Sequence, residues 1–178
     1  FSGKAVSGVA VRWSWTDIAA NEEGYRVRST TSNVQSPTSI VTELPANTTY
    51  YVELGLVPNT AYYRYAEAYN YSGIAVSSVA VKWTLANPPV GMFIVQSSTF
   101  NVELQWTTNN NPPGTKYRVY RATDIVSFAI LTTTEGTVYN DLAVAVLGSY
   151  TYKIQAVNGE EVGSGFTVEA STYIFPPV

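Results

Sequence analysis

The stretch LVPNTAYYRYAEAYNY, residues 56–71, decides how this chain is read. Five of its last twelve residues are Tyr, which fits a pleated, half-buried surface. A strand alternates its side chains between two faces. With Tyr62 turned inward, Arg64, Ala66, Ala68 and Asn70 share its face, and Tyr63, Tyr65, Glu67, Tyr69 and Tyr71 share the other. Arg64 is the awkward member of the inner set. Either its head reaches water past an apolar stem at the end of the layer, or a bulge shifts the register beside it.

The same period of two recurs on either side. In FNVELQW (100–106), Phe100, Val102, Leu104 and Trp106 point one way and Asn101, Glu103 and Gln105 the other. Near the start, Val9, Val11, Trp13 and Trp15 point inward and Ala10, Arg12 and Ser14 outward. The next strand has Tyr25 and Val27 inward, with Arg26 and Arg28 outward. Such alternation marks half-buried antiparallel strands. NEEG (21–24) and NNNPPG (109–114) supply the Asn, Pro and Gly of the intervening turns.

The pattern occurs twice. Trp15 aligns with Trp106 at a separation of 91, Tyr25 with Tyr117 at 92, and Ala68 and Asn70 with Ala156 and Asn158 at 88. Landmarks in one order at a nearly constant offset indicate two tandem domains. Pro cannot donate to a sheet ladder, so the Pro-Pro pairs at 88–89 and 176–177 mark seams. The expected domains are residues 1–87 and 88–178, joined by a short, stiff linker at Asn87-Pro88-Pro89. Phe1 aligns with Met92, which leaves the first copy without the Pro-Pro-Val-Gly that leads the second. The chain reads as a piece cut from a longer array.

Composition narrows the chemistry. Charged residues are only 13% of the chain, about half the usual ~25%. The net charge is -3, with no basic stripe, so nucleic acid is not an expected partner. No apolar run approaches the ~20 residues a spanning helix needs, so membrane insertion is not expected. With no Cys, no disulfide can staple the fold, and with no His the usual general base is gone. The adjacent pairs Glu22-Glu23 and Glu160-Glu161 sit in loops rather than across a cleft, unlike the paired carboxylates of a glycosidase. No catalytic residue, metal site or cofactor is expected. The acidic loop NGEEVGSG (158–165) reads as solvated, and Asn47-Thr48-Thr49 and Asn70-Tyr71-Ser72 match the glycosylation sequon.

Trp at the end of the second strand, YRV on the third, and LVPNTAY (56–62) together resemble the fibronectin type III family. Leu56, Pro58, Thr60 and Tyr62 match that family's Leu-x-Pro-x-Thr-x-Tyr corner position for position. The resemblance covers nearly the whole chain, twice. It implies an all-β fold: two tandem seven-stranded antiparallel sandwiches, each with sheets A-B-E and C'-C-F-G. It also implies that the Tyr62 ring packs in the core while its hydroxyl reaches back to the upstream backbone. In the second copy Tyr150 takes the corner, but DLAVAVLGSY (141–150) lacks the Pro and Thr, so remodelling is expected there.

The remaining functional candidates are the outward tyrosines Tyr63, Tyr65, Tyr69 and Tyr71, with Arg26 and Arg28 on the neighbouring strand. The matching positions of the second copy are Thr151, Lys153, Gln155 and Val157, so the fold does not require the tyrosines. Two readings stay open: cross-strand packing, or a face that binds a carbohydrate or a protein. The expected role is a non-catalytic spacer, display or adhesion module of a larger extracellular or cell-surface protein. Its partners would be adjacent domains of the same polypeptide, with a protein or polysaccharide ligand as the alternative. A monomer is expected, with homotypic assembly through strand edges as the competing state.

Overall fold

The computed structural model describes residues 1–18, 20–35 and 39–176, apart from the side chains of 96–98. It is all-β. Among the described residues, no helix is long and apolar enough to cross a membrane. Contacts divide the chain into two compact units, Phe1–Thr84 and Leu85–Val178. The division falls ahead of the Pro88-Pro89 pair. Pro177 and Val178, at the second Pro pair, lie outside the described residues.

The first unit contains β1 (Ser2–Ser7), β2 (Ala10–Ser14), β3 (Gly24–Thr30), β4 (Ile40–Pro45), β5 (Tyr50–Leu54), β6 (Ala61–Asn70), β7 (Gly73–Val76) and β8 (Ala80–Trp83). One sheet has the order β1-β2-β5, and the other β4-β3-β6-β7, with β8 also on β6. The second unit repeats this with β9 (Val90–Ser98), β10 (Asn101–Thr107), β11 (Lys116–Thr123), β12 (Ala129–Thr134), β13 (Val138–Asp141), β14 (Ser149–Val157), β15 (Gly163–Phe166) and β16 (Ala170–Tyr173). Its sheets run β9-β10-β13 and β12-β11-β14-β15, with β16 on β14. These are the A-B-E and C'-C-F-G sheets of a seven-stranded sandwich, with the last strand broken in two. The break is built alike in both units. Ser77 donates its amide to Ala66 O and accepts the Ala66 amide on Oγ. Thr167 does the same with Ile154.

The cores follow the alternation. Val11, Trp13, Tyr25 and Val27 are buried in the first unit, and Val102, Leu104, Trp106, Tyr117 and Val119 in the second. Four positions depart from expectation. Val9 and Phe100 were placed inward but are 48% and 75% exposed, because each stands ahead of its strand, beyond the cover of the facing sheet. Val157 was placed outward but is 2% exposed; it ends β14 paired with both Lys116 and Gly163. Ala10, also placed outward, is 4% exposed.

Both corners close the same way. Tyr62 accepts the Val57 amide on its hydroxyl at 2.8 Å, and Tyr150 accepts the Ala145 amide at 2.9 Å. The second corner is therefore not remodelled, although its sequence lacks Pro and Thr. Val144 buries itself where Leu56 does in the first. Leu147 takes φ 62°, close to the 45° of Asn59. Gly148 is needed beside it, since a Cβ there would lie 2.8 Å from the Tyr150 ring.

Candidate functional site

The outer face of the β4-β3-β6 sheet carries the candidate residues. The register pairs Thr30 with Tyr63, Arg28 with Tyr65, Arg26 with Glu67 and Gly24 with Tyr69. Alternation therefore does bring Tyr63, Tyr65, Tyr69, Arg26 and Arg28 to one face, but that face is not bare. Tyr65 is 3% exposed and Glu67 4%, while Tyr63 and Tyr69 are half-buried. Tyr71, 93% exposed, lies past the end of β6. The expected solvent-facing stripe is corrected to one open ring, Tyr71, two half-buried rings, Tyr63 and Tyr69, and one buried ring, Tyr65.

The cover comes from the neighbouring strands. Arg28 Nε meets Glu67 Oε2 at 2.6 Å, and Arg26 Nε meets Glu43 Oε1 at 2.8 Å. The Arg26 guanidinium also lies 4.1 Å from the centre of the Tyr69 ring, a cation–π contact. The hydroxyl end of that ring lies close over residue 24, which is Gly. A Cβ at Gly24 would stand 2.7 Å from the Tyr69 hydroxyl. Tyr69 thus packs against the bare backbone of Gly24 and an ion-paired arginine.

Arg64 resolves differently from either sequence reading. It is 8% exposed, neither reaching water nor displaced by a bulge. Its Nη2 meets Glu53 Oε1 at 2.6 Å and its Nε meets Oε2 at 3.0 Å. Trp13 Nε1 donates to the same Oε2 at 2.8 Å. The side chains come from β6, β5 and β2, so the cluster ties the two sheets together. Adding the repeat offset of 88 to Glu53 and Arg64 gives Asp141 and Tyr152. Asp141, 1% exposed, accepts from the Tyr152 hydroxyl and from Arg121 Nη1, each at 2.8 Å. Both units therefore bury a carboxylate at one place and satisfy it with different donors. Burial works against the Arg121 charge, but the Asp141 hydrogen bond and charge outweigh it and hold that guanidinium above its ordinary pKa. Sequence alone could have paired Glu53 with Arg64, because strict alternation turns both inward.

The second unit builds a ring cluster of its own on the corresponding face. Lys153 Nζ lies 3.7 Å from the Phe128 ring centre and 4.6 Å from that of Phe166, and Tyr120 packs edge-on to Phe166 at 5.1 Å. The units differ in which strands supply the rings. In the acidic loop, Glu161 meets Arg118 at 2.6 Å and Lys116 at 3.4 Å. Asn158 Oδ1 accepts the amides of Glu160 and Val162. Glu22 accepts the Asn47 amide and Glu23 the Tyr71 amide. Both acidic pairs thus have a member bound to its own fold. Among the described residues no group of three acidic, His or Cys side chains could hold a metal.

No family model matches the chain, and no curated protein matches it. Solved structures do. A segment of two fibronectin type III domains from chicken tenascin superposes with a TM-score of 0.68 at 17% identity, covering 96% of this chain and 95% of that one. The fibronectin type III domain of human fibronectin type III domain containing protein 3 gives 0.45 at 19% identity, covering 51% of this chain and 86% of that one. The tenascin match spans both units.

Proposed function

Starting from two fibronectin type III folds in tandem, we propose that the chain is a non-catalytic spacer and display module of a larger extracellular or cell-surface protein. One observation carries this reading: many of the charged side chains pair inside their own unit. Arg64 and Glu53, Arg121 and Asp141, Arg28 and Glu67, and Arg118 and Glu161 each pair within one sandwich. Groups held in this way hold strands and sheets in place. The low charge then serves a stiff, inert body whose partners are its neighbours along the polypeptide. Screening the intact chain against a glycan array and against candidate matrix proteins tests the reading. No saturable binding is expected, and a saturable ligand would overturn it.

A second reading, binding of a carbohydrate or protein, is favoured at one place among the described residues. Tyr71 and Ile74 are 93% and 63% exposed at the β6–β7 turn. Ile74 lines a shallow hollow of about 260 Å³ together with Asn21, Glu22, Tyr69 and Asn70, and Tyr71 stands in the same turn. A ligand that this turn binds would be lost on Tyr71→Ala and kept on Tyr63→Ala.

A further inference from the structure

The outer face of the β1-β2-β5 sheet holds an electrostatic misfit. Lys4 on β1 stands directly opposite Arg12 on β2, and like charges placed in this way repel. Both side chains are exposed. Among the described residues Arg26, Arg28, Arg64, Arg118 and Arg121 each meet a carboxylate, and Arg12 does not. Its guanidinium lies 4.2 Å from the centre of the Tyr50 ring instead. The one acid on these three strands is Glu53, which is turned inward onto Arg64.

The second unit holds the complementary misfit at the same place. The offset of 91 that sets Trp15 on Trp106 also sets Arg12 on Glu103. Glu43, Glu53, Glu67 and Asp141 likewise lie on strands, and each meets an arginine. Glu103, half-buried and opposite Asn140, meets none among the described residues. Strands β9, β10 and β13 contain no Lys or Arg, so its own sheet cannot neutralise it. Both faces also leave large apolar side chains open to water. Tyr50 and Leu54 are exposed on the first, and Phe93 and Val138 on the second, where both pair with Gln105 beside Glu103.

We propose that these two faces meet between molecules, the β1-β2-β5 face of one copy on the β9-β10-β13 face of another, with Glu103 received between Lys4 and Arg12. The contact relieves the repulsion between the two cations and gives the leftover strand carboxylate its arginine. It also takes the rings and aliphatic side chains around them out of water. The fold demands neither charge, since the two units build the same sandwich with opposite charges at this position. Like faces repel, so the contact joins a first unit to a second unit rather than like to like.

Sedimentation equilibrium of the full chain and two charge-reversed forms tests this. One form carries Lys4→Glu/Arg12→Glu and the other Glu103→Arg. The wild-type chain is expected to gain average mass as its concentration is raised to about 1 mM, where weak contacts register. Added salt should reduce that gain. Each variant alone should associate at least about tenfold more weakly. Mixing the two variants should restore association, because the reversed faces complement one another and unfolded chains could not do so. A wild-type chain that stays monomeric overturns the proposal, as does a variant that associates like wild type or a mixture no stronger than its parts. Binding of polyglutamate by a monomeric wild-type chain, lost in Lys4→Glu/Arg12→Glu, would also overturn it and give the face to an acidic peptide.

Discussion

Glu53 and Arg64 meet at 2.6 Å in the interior of the first unit, their side chains 8% and 9% exposed. The strand that carries Arg64 faces the strand that carries Glu53 across the sandwich, so the pair spans both sheets. Glu53→Leu alone should lower stability by about 3–5 kcal/mol, because it leaves a buried guanidinium without its carboxylate. The double variant Glu53→Leu/Arg64→Met should recover most of that loss. Urea unfolding of both variants checks this, and a double variant no better than the single would refute the ion pair's role.

The two corner tyrosines predict equal behaviour from unequal sequences. Tyr62→Phe and Tyr150→Phe should each cost about 1–3 kcal/mol, since each leaves a backbone amide without its acceptor. Unchanged thermal midpoints in both would contradict the hydrogen bonds to Val57 and Ala145.

Leu147 holds φ at 62° with its side chain 63% exposed. A branched-chain residue gains nothing there and bears the left-handed penalty of about 1–2 kcal/mol. Leu147→Asn, which installs the residue found at position 59, should stabilise the second unit by about 0.5–1 kcal/mol. Denaturant midpoints should rise without a change in slope.

The outer face separates its tyrosines by burial. Tyr65→Ala should cost about 3–5 kcal/mol through lost packing and a cavity. Tyr71→Ala should change stability by less than about 0.5 kcal/mol. Similar losses at the two sites would mean that the face is open after all.

Alkali should weaken the fold. Burial, followed by hydrogen bonding to Asp17 and Asp141, pushes the Tyr25 and Tyr152 phenols well above their usual range. The folded chain then keeps protons that the unfolded chain releases near pH ~10. This stabilisation is complete below about pH 10 and is lost as the pH rises toward the folded values. Urea midpoints should be flat to about pH 9.5 and fall beyond it, with a shallower fall in Tyr25→Phe and Tyr152→Phe.

The sequence by itself determined the all-β class, the repeat, the inward tryptophan positions Trp13 and Trp106, and the corner at Tyr62. These signals are local: a period of two, a turn residue at a fixed offset, a landmark that recurs. The alternation even brought the right residues to the outer face. It left unsettled which of them water reaches, because that depends on side chains from other strands. Arg28 and Glu67 seal the face around Tyr65, and Arg26 covers Tyr69, through pairings set by sheet register. The second corner was misjudged because its geometry needs a left-handed residue and a hydroxyl, which Leu147 and Tyr150 supply without the usual Pro and Thr. Tertiary structure also decided the fate of Arg64. An inward charge reads as an error until the facing sheet places a carboxylate opposite it. Direction along a strand is set by local backbone geometry, while burial and charge balance are set by whatever the fold packs against it.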